Sequence, residues 1–399
     1  TATLWDSVDL GFKPTKRTWG AEVFPGSSLP NAMVQVSPVT KFHSGAGYQY
    51  EDSVIYGFTH TNKGHWNLCH IPLLPVTGTP TPGDYCSPFS HERESAAPGY
   101  YQVFLDRYGV DAQLSSTLRC AFHKYTYPAG AAPAVLADLQ RSNEHVRAWD
   151  IRKEGDNVFA GWQQTGEKMY FYAVANRPVT GIEPVVEGDR EVRIVRFGEG
   201  DGALELRIGF SFVSEKNARE NLEAEMLGKS FAEVRSEATA TWNDLLGRIR
   251  VEGGTEREKG LFYSSLYRSF LWPALRSDVN GEFTDVDGKV INPGFRYYTG
   301  PSYWDDYRNK LILLGMLAPD VAVQGPSRPW LDEYVAKGYI SEMDVENPVT
   351  WTVCKAAVTK TLEYSYDDYA VALLADALGD KENRDMLMKR TSNYKNLFD

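Results

Sequence analysis

The most constraining feature of the sequence is a change of hydrophobic period near residue 213. Before that point, short runs at 101–105, 190–196 and 204–212 largely alternate apolar and polar residues. Such alternation is the two-residue period of half-buried β-strands. Gly, Pro, Asn and Asp separate these runs at intervals of about ten residues, as in an all-β domain. The first part of the chain is therefore predicted to be a β-sandwich.

After Ser214 the apolar residues recur at helical spacing. The stripe consists of Leu222, Met226, Phe231, Val234, Ala238, Trp242 and Leu245. This is the pattern of one or two amphipathic helices. Ser214 is a candidate N-cap, because its hydroxyl can accept from a free amide of the first turn, and Gly228 is a candidate break. We interpret this stretch as a helical connector.

The rest of the chain is predicted to be mainly helical. A short strand is expected at 248–251, followed by a turn and by a capping box formed by Thr255 and Glu258. One helix would then present Leu261, Phe262, Leu266 and Phe270 on one face. A second helix is indicated by Leu362, Tyr366, Ala370, Leu373 and Ala377, with Gly379 as its stop. The prediction is a multidomain β-then-α protein, with a sandwich at 1–212, a linker at 213–254 and a helical domain at 255–399.

Composition narrows the classes of function. The chain has 399 residues, of which 42% are hydrophobic and 24% charged, so it is globular and long enough for two domains. Its net charge of −11 disfavours nucleic acid as a partner, since phosphate binding needs a basic surface. No segment approaches the roughly 18 consecutive apolar residues of a membrane span.

The aromatic content is high, with 10 Trp, 23 Tyr and 18 Phe residues. Aromatic faces stack on the C–H faces of sugar rings, which would explain some of them. A large core that uses aromatic side chains as filler explains them equally well. Both interpretations stay open on composition alone.

Several kinds of catalytic site are disfavoured by missing motifs. The four cysteines have no CxxC spacing, which argues against zinc, and Cys69 and Cys86 are as consistent with free thiols as with a disulfide. There is no GxGxxG or GxxxxGK[ST] loop for a nucleotide phosphate. There is also no GxSxG elbow for acyl transfer.

The sharpest cluster of functional side chains lies at 302–308. Trp304, Asp305 and Arg308 fall within one or two helical turns, so Arg308 shares a face with each of the other two. A carboxylate beside a guanidinium can hold two neighbouring hydroxyls while the indole stacks on a sugar ring. The alternative is an N-terminal Asp that favours the helix dipole, with Arg in a surface ion pair.

Two further acidic groups are interpreted as structural. Asp367 and Asp368 are adjacent on a helix and point about 100° apart, so they do not form a ready acid–base pair. The segments 278–282 and 285–288 carry oxygen ligands at alternate positions, as calcium loops do. They lack the full spacing of an EF-hand, and turn formation is the preferred interpretation.

Nine stretches, in order along the chain, resemble glycoside hydrolase family 92, the calcium-dependent exo-α-mannosidases. They lie at 24–26, 33–38, 57–61, 87–92, 98–101, 262–268, 303–308, 361–369 and 390–394. Each is a weak signal alone. Their common order over nearly the whole chain makes the resemblance specific.

The resemblance implies an N-terminal β-sandwich, a helical linker and an (α/α)6 barrel. It implies hydrolysis of a terminal α-mannoside, α-1,2-linked in mannans or N-glycans, with inversion by a carboxylic acid and a carboxylate base. A calcium ion would help to hold the mannose. By the same resemblance, Trp304, Asp305 and Arg308 line the mannose subsite, and Phe24, Gly64 and His65 reach over it from the sandwich.

The sequence also departs from the family pattern. The segment 16–22 replaces a glycine-rich stretch, and the loop at 61–66 differs from the common pattern, which puts linkage preference in doubt. Between Asp320 and Arg328 the chain skips residues that the family carries. It ends at Asp399, before the motifs with the acid, the base and most calcium ligands. A barrel of about twelve helices needs more residues than follow Thr255. We therefore expect a partial barrel, and expect that this chain alone does not hydrolyse glycosides.

Two alternatives remain at this level. One is another sandwich-plus-α-barrel glycosidase or phosphorylase that acts on α-glucosides. The other is a carbohydrate-binding protein that lacks the catalytic carboxylates. Because mannans and N-glycans lie outside the cytoplasm, we expect a periplasmic or secreted monomer whose partner is a mannose-containing glycan.

Overall fold

The computed structural model describes residues 24–63, 66–285, 288–299, 310–323, 331–341 and 357–398. The chain forms two compact units, one of residues 1–300 with 314–325 and one of residues 301–313 with 326–399. The predicted boundaries at 212 and 254 both fall inside the first unit and stay predictions. No helix in the described ranges has the length and apolar character needed to cross a bilayer.

Two antiparallel sheets dominate the first unit. The seven-stranded sheet has, in spatial order, β1 (Ser27–Ser28), β2 (Gln35–Val39), β4 (Gly57–Thr59), β7 (Leu73–Val76), β13 (Ala134–Ala137), β18 (Arg190–Phe197) and β17 (Val179–Glu187). The eight-stranded sheet has β14 (Ala148–Gly155), β15 (Val158–Gln164), β16 (Lys168–Ala175), β19 (Leu204–Ser211), β12 (Cys120–Thr126), β11 (Val110–Ser116), β10 (Tyr100–Leu105) and β9 (Glu94–Ala97).

Four short strand pairs complete the β structure. They are β3 (Val54–Ile55) with β8 (Ser87–Pro88), β5 (Asn62–Lys63) with β6 (Trp66–Asn67), β20 (Ala274–Leu275) with β23 (Tyr298–Thr299), and β21 (Phe283–Thr284) with β22 (Val290–Ile291). The last two pairs lie after residue 273, in the part of the chain that was predicted to be mainly helical.

The two large sheets share one apolar core. Strand β16 shows why, because Met169, Phe171 and Ala173 are buried while Tyr170 and Tyr172 between them are partly exposed. Most buried apolar side chains of both sheets belong to a single cluster, to which Val36 contributes from one sheet and Leu206 from the other. The strands predicted at 101–105, 190–196 and 204–212 are confirmed, and so is the β-rich first part of the chain.

Three helices follow the sandwich in the same unit: α1 (Glu215–Glu225), α2 (Phe231–Leu246) and α3 (Glu256–Ser269). Ser214 caps α1 by accepting from the Asn217 amide, and Thr255 and Glu258 form the predicted capping box of α3. The break at Gly228 is confirmed by its φ of +92°. Gly209 of β19 lets α1 approach closely, since a Cβ there would collide with the Ala218 carbonyl.

The predicted stripe of the linker is buried at every position. Leu222, Met226, Phe231 and Val234 pack with Cys120 and Phe122 on the eight-stranded sheet. Ala238, Trp242 and Leu245 are also buried. The linker helices therefore cover the outer face of the sandwich rather than extending from it.

Two details of the prediction are wrong. Residues 248–251 form no strand, because the Tyr263 hydroxyl bonds the Ile249 carbonyl at 3.0 Å and accepts from the Val251 amide at 3.4 Å. A side chain thus meets the backbone groups that a partner strand would have met. On α3, Leu266 and Phe270 are buried, but Leu261 and Phe262 are 55% and 37% exposed, so the buried face is narrower than expected.

The other helices in the described ranges are α4 (Lys310–Leu317), α5 (Pro319–Val323), α6 (Leu331–Lys337), α7 (Ala357–Ala377) and α8 (Lys381–Arg390), with a 3₁₀ turn at Asn393–Leu397. In the second unit, Tyr334, Ile340 and Tyr364 form a small apolar cluster. The predicted helix ending before Gly379 is confirmed as α7. The helical character of this part is confirmed, and the (α/α)6 arrangement stays a prediction.

Candidate functional site

Most of the predicted site residues lie outside the part of the chain that the structure describes. This holds for Gly64, His65, Trp304, Asp305 and Arg308. Phe24 is described, is 2% exposed and precedes strand β1. All six assignments stay predictions, and the geometry below is that of the segments that lead to these positions.

The hairpin β5–β6, which flanks positions 64 and 65, is closed at its base by main-chain hydrogen bonds. The His60 amide donates to the His70 carbonyl at 3.2 Å, and the Leu68 amide donates to the Thr61 carbonyl at 3.2 Å. The Thr61 hydroxyl lies 2.7 Å from His70 Nδ1. The two ends of this loop are therefore held together inside the sandwich.

His70 ties the base of the hairpin to the loop after β15. Its Nε2 lies 3.0 Å from the Thr165 hydroxyl, which donates to Glu144 Oε2 at 2.5 Å. Because the hydroxyl has one proton and gives it to the carboxylate, it accepts from His70 Nε2–H. This chain of hydrogen bonds fixes the orientation of a fully buried imidazole.

Gln163 fixes the backbone just after the hairpin. Ile71 has a φ of +54°, a left-handed conformation that is rare for a β-branched residue. Gln163 Oε1 accepts from the Ile71 amide at 2.8 Å, and its Nε2 donates to the carbonyls of Leu139 and Arg141 at 2.9 and 3.0 Å. A buried amide side chain therefore holds a costly backbone conformation in place.

A pair of buried imidazoles, His60 and His123, lies in the core next to the base of the hairpin. His60 Nε2 is 2.9 Å from His123 Nε2, and His123 Nδ1 is 2.6 Å from the Tyr125 hydroxyl. Burial lowers the pKa of His60 to about 3 and holds the pKa of His123 well below its usual range. Both rings are neutral at physiological pH and have no access to solvent. They support the fold and do not act as an acid or base.

Three segments that lead to predicted site residues meet at Asn31 and Gln35. The Asn31 amide donates to the Phe270 carbonyl at 2.7 Å, and the Leu275 amide donates to the Asn31 carbonyl at 2.9 Å. The Gln35 amide donates to the His60 carbonyl at 3.1 Å, and its Nε2 donates to the Leu271 carbonyl at 3.1 Å. The chain after Phe24, the hairpin flank and the end of α3 are thereby joined.

Sequence reasoning missed both of these residues. Gln35 lies in one of the nine family-like stretches, at 33–38, but its role was not assigned there. Its side-chain bond spans 236 residues. No local period indicates such a partner. The motif itself was the available signal.

The acidic turn at 278–282 is built as a structural anchor. Asp278 Oδ2 accepts from the Ser211 hydroxyl at 2.6 Å and from Asn217 Nδ2 at 2.9 Å, while Oδ1 accepts from Asn221 Nδ2 at 2.7 Å. Burial raises the pKa of Asp278, and these hydrogen bonds act in the opposite direction. Gly281 has a φ of +87°, which confirms the turn.

Asp367 and Asp368 are also internal. Both are buried on α7, at 5% and 1% exposure. Asp368 Oδ2 accepts from the Tyr334 hydroxyl at 3.3 Å, and that hydroxyl lies 3.2 Å from Ser365 Oγ. The geometry supports the structural interpretation of this pair.

The described residues form no cluster of acidic or other ligating side chains for calcium. Within the described ranges, no group of three or more His, Cys, Asp or Glu side chains is placed to hold a metal ion. The oxygens of Asp278, the best sequence candidate, accept from three neutral side chains instead. Cys69 and Cys86 form no disulfide with each other.

Comparison with known families matches both parts of the chain. The profile described as glycosyl hydrolase family 92 N-terminal domain matches residues 14–220. The profile described as glycosyl hydrolase family 92 catalytic domain matches residues 217–327 and 322–399. The two catalytic segments meet where we expected family residues to be missing.

Individual relatives are more distant. A protein described as an uncharacterized secreted glycosidase from Arthroderma benhamiae is 24% identical over 476 residues, which cover 95% of this chain and 60% of that protein. The alignment is longer than the 399 residues of this chain, so the relative carries residues inside the matched span that this chain lacks.

Solved structures share the fold. A family GH92 α-mannosidase from Bacteroides thetaiotaomicron superposes with a TM-score of 0.78 at 24% identity, covering all of this chain and 66% of its own. A family GH92 inverting mannosidase from Bacteroides thetaiotaomicron VPI-5482 gives 0.73 at 22% identity, with the same coverages of 100% and 66%. This chain thus spans about two thirds of their length or less. With both profiles matched along nearly its whole length, the chain belongs to glycosyl hydrolase family 92.

Proposed function

We propose that this chain is part of an exo-α-mannosidase. The reaction is hydrolysis of a terminal α-linked mannose, α-1,2-linked in a mannan or N-glycan, with inversion at the anomeric carbon. The observation that carries the proposal is the match of both family profiles, in order, over nearly the whole chain. The solved relatives described as mannosidases support the choice of sugar.

The described residues have a supporting role in this reaction. Inverting hydrolysis needs two carboxyl groups about 6.5–9.5 Å apart on opposite sides of the scissile bond. The described acidic pairs do not meet this need, since Asp367 and Asp368 are buried inside the second unit. The acid and the base are therefore proposed to lie beyond Asp399. Trp304, Asp305 and Arg308 are proposed to hold the mannose.

The sandwich contributes by fixing the segments that carry Phe24, Gly64 and His65. Asn31 and Gln35 join the chain after Phe24 to the end of α3 and the start of β20. Gln163 and His70 hold both ends of the loop that carries Gly64 and His65. A sugar subsite needs such rigid support, because small displacements of binding groups weaken catalysis strongly.

Calcium and location complete the proposal. Calcium is included because of the family resemblance, with ligands other than the described residues. A periplasmic or secreted location fits the substrate, and the Arthroderma relative is described as secreted. We propose a monomer.

The test is an assay of the 399-residue chain with α-1,2-mannobiose, with calcium and with a chelator. We expect no release of mannose, because the acid and base are proposed to lie outside these residues. We expect calorimetry to detect binding of methyl α-mannoside that is weakened by Asp305→Asn. The control is Asp201→Asn, which removes an exposed carboxylate in a turn of the sandwich and should leave binding unchanged.

Three outcomes would contradict parts of the proposal. Release of mannose by this chain would show that its catalytic carboxylates lie within residues 1–399. Release of glucose from an α-glucoside supplied in place of mannobiose, or of a sugar phosphate when inorganic phosphate is added, would identify an α-glucoside hydrolase or a phosphorylase. Tight mannoside binding by the natural protein without any turnover would identify a carbohydrate-binding protein.

A further inference from the structure

A surface cleft of about 450 Å³ lies in the sandwich domain, between residues 50–53 and 89–92. Its volume falls within the usual range of small-molecule sites. One wall includes Tyr50 and Asp52, which precede β3. The other includes Phe89 and His91, around the short 3₁₀ turn His91–Arg93. Residues 87–92 form one of the family-like stretches, and the proposed reaction assigns them no role.

The aromatic wall of the cleft is rigid. The rings of Tyr50 and His91 stack with centroids 4.0 Å apart and an angle of 5° between their planes. Phe89 meets the His91 ring edge-on at 5.3 Å. His91 is held on both sides, with Nδ1 2.6 Å from Glu94 Oε2 and Nε2 2.7 Å from the Tyr50 carbonyl.

Glu94 anchors this wall to the core. Its side chain is fully buried. It accepts from the Tyr101 hydroxyl at 2.5 Å and from the Tyr48 hydroxyl at 3.1 Å. A buried carboxylate with several donors is a fixed element, so the stacked rings keep their position before any ligand arrives.

The polar lining consists mainly of acceptors. Glu51, Asp52 and Glu92 contribute carboxylates, and no Lys or Arg is among the described residues that line the cleft. Asp52 Oδ2 is buried and has no hydrogen-bond partner in the described part of the chain. Buried polar atoms in folded proteins are normally satisfied, so this oxygen has capacity for one more donor, such as an ordered water or a ligand hydroxyl.

The cleft lies at the end of the sandwich away from the linker. The cleft lies at the end of β10 that leads to Asp106, because the Asp106 amide donates to the carbonyl of Pro88, next to Phe89, at 3.0 Å. At the opposite end of the same strand, Gly99 lies against Ala238 of α2. Asn31 and Gln35 connect a different part of the sandwich to α3. The cleft is thus separate from the segments that lead to the predicted mannose subsite within this unit.

We propose that this cleft is a second saccharide-binding site, which holds one or two sugar units of a glycan. Stacked aromatic rings offer a face for the C–H groups of a pyranose, and the carboxylates accept from its hydroxyls. A divalent cation would need several carboxylates around one point, and the described residues form no such group. The inference goes beyond the proposed function, because binding here requires no hydrolysis.

The test is calorimetry of the full 399-residue chain with α-1,2-mannobiose and with maltotriose. We expect Tyr50→Ala to weaken binding of at least one of these saccharides by about tenfold, because it removes the stacking face. Asp52→Asn is expected to weaken it by a few fold, because one acceptor is lost, whereas Tyr50→Phe keeps the ring and should retain binding. Tyr394→Ala is the matched control, since that tyrosine is 40% exposed and lies outside the sandwich.

Several results would overturn the proposal. Absence of binding by the unaltered chain to both saccharides would do so. So would binding that Trp304→Ala abolishes while Tyr50→Ala and Asp52→Asn leave it unchanged, because the sugar would then occupy the predicted mannose subsite. A calcium chloride titration whose heat disappears in Asp52→Asn, without saccharide binding, would identify a cation site. If Tyr50→Ala fails to fold, Asp52→Asn and Tyr50→Phe still decide the question.

Discussion

The β-sandwich buries a continuous apolar core, whereas helix α7 buries several polar side chains and leaves several apolar ones exposed. In the sandwich, apolar residues from both sheets form one continuous core, in which residues such as Val36 and Leu206 have no exposed surface. On α7, Thr361 and Asp368 are among the buried residues, while Leu362 and Leu374 are 41% and 55% exposed. The first region closes its apolar surface with its two sheets and the linker helices that pack on them. The second does not do so within the described residues.

The difference shows that a sequence pattern can specify the secondary structure of a segment without specifying which of its faces is buried. The two-residue period of the strands fixes both the secondary structure and the buried face, because the opposing sheet is close by in the same unit. The helical period of α7 fixes only the secondary structure. Its buried face is the one that meets Tyr334, whose hydroxyl bonds Ser365 and Asp368.

The largest effect is expected where the linker seals the sandwich. Trp242 has no exposed surface, its Nε1 donates to the Ser28 carbonyl at 2.7 Å, and its ring lies 4.4 Å from that of Tyr267. We expect Trp242→Ala to lower the free energy of unfolding by about 3–5 kcal/mol. Urea unfolding followed by circular dichroism measures this change.

Trp162→Ala is the matched control, because that ring is only partly buried on the outer face of β15. It should change stability much less. A loss below about 1 kcal/mol for Trp242→Ala would mean that the linker adds little to the closed core, and the contrast with α7 would fail.

The next effect is a pH dependence of the sandwich. The folded pKa of His60, about 3, lies below its ordinary value of 6.5. As pH falls, the unfolded chain therefore binds the proton first. The contribution of neutral, buried His60 to the free energy of unfolding is therefore fully present above pH 6.5. It decreases toward pH 3 by up to about 1.4 kcal/mol per pH unit.

His60→Gln should flatten the curve of stability against pH between 6.5 and 3.5, whatever its effect on stability at neutral pH. His43→Gln, at an exposed position, should leave the slope unchanged. Equal slopes for the unaltered chain and His60→Gln would show that His60 is not buried as a neutral ring. Urea unfolding at a series of pH values gives these slopes.

The smallest effect is expected on the apolar side of α7. The double substitution Leu362→Gln and Leu374→Gln should change the free energy of unfolding by no more than about 0.5 kcal/mol, since both side chains are exposed. Tyr364→Ala, at 2% exposure on the same helix, should lower it by about 3 kcal/mol. Thermal or urea unfolding distinguishes the two variants. A loss above about 2 kcal/mol for the double variant would show that this face is covered.

Much of the fold could be predicted from local chemistry. Ser214, Thr255 and Glu258 mark helix starts through their own hydrogen bonds, and the linker stripe from Leu222 to Leu245 is buried as its spacing indicates. The strand expected at 248–251 does not form, because the Tyr263 hydroxyl of helix α3 hydrogen-bonds the backbone of this segment instead. Such competition is invisible in a local period.

The site was less predictable than the fold. The motifs identified the family and drew attention to Trp304, Asp305 and Arg308. They did not identify Asn31, Gln35 or Gln163, whose roles depend on carbonyls and amides brought close only by the folded chain. Tyr50 and Asp52 were missed for the same reason, because the cleft exists only once residues 89–92 lie opposite them.

The covering of the sandwich by its linker determines how the domain can be separated from the rest. The N-terminal profile ends at residue 220, but Leu222, Phe231 and Trp242 lie beyond that point and seal the sheet and the Ser28 backbone. A fragment that ends at residue 220 would expose the apolar outer face of the eight-stranded sheet, and we expect it to aggregate. Asp278, which binds Asn217 and Asn221, extends the requirement to the hairpins before residue 299. The smallest fragment that we expect to express in soluble form therefore contains the sandwich, the linker helices α1 and α2, helix α3 and the hairpins that follow it.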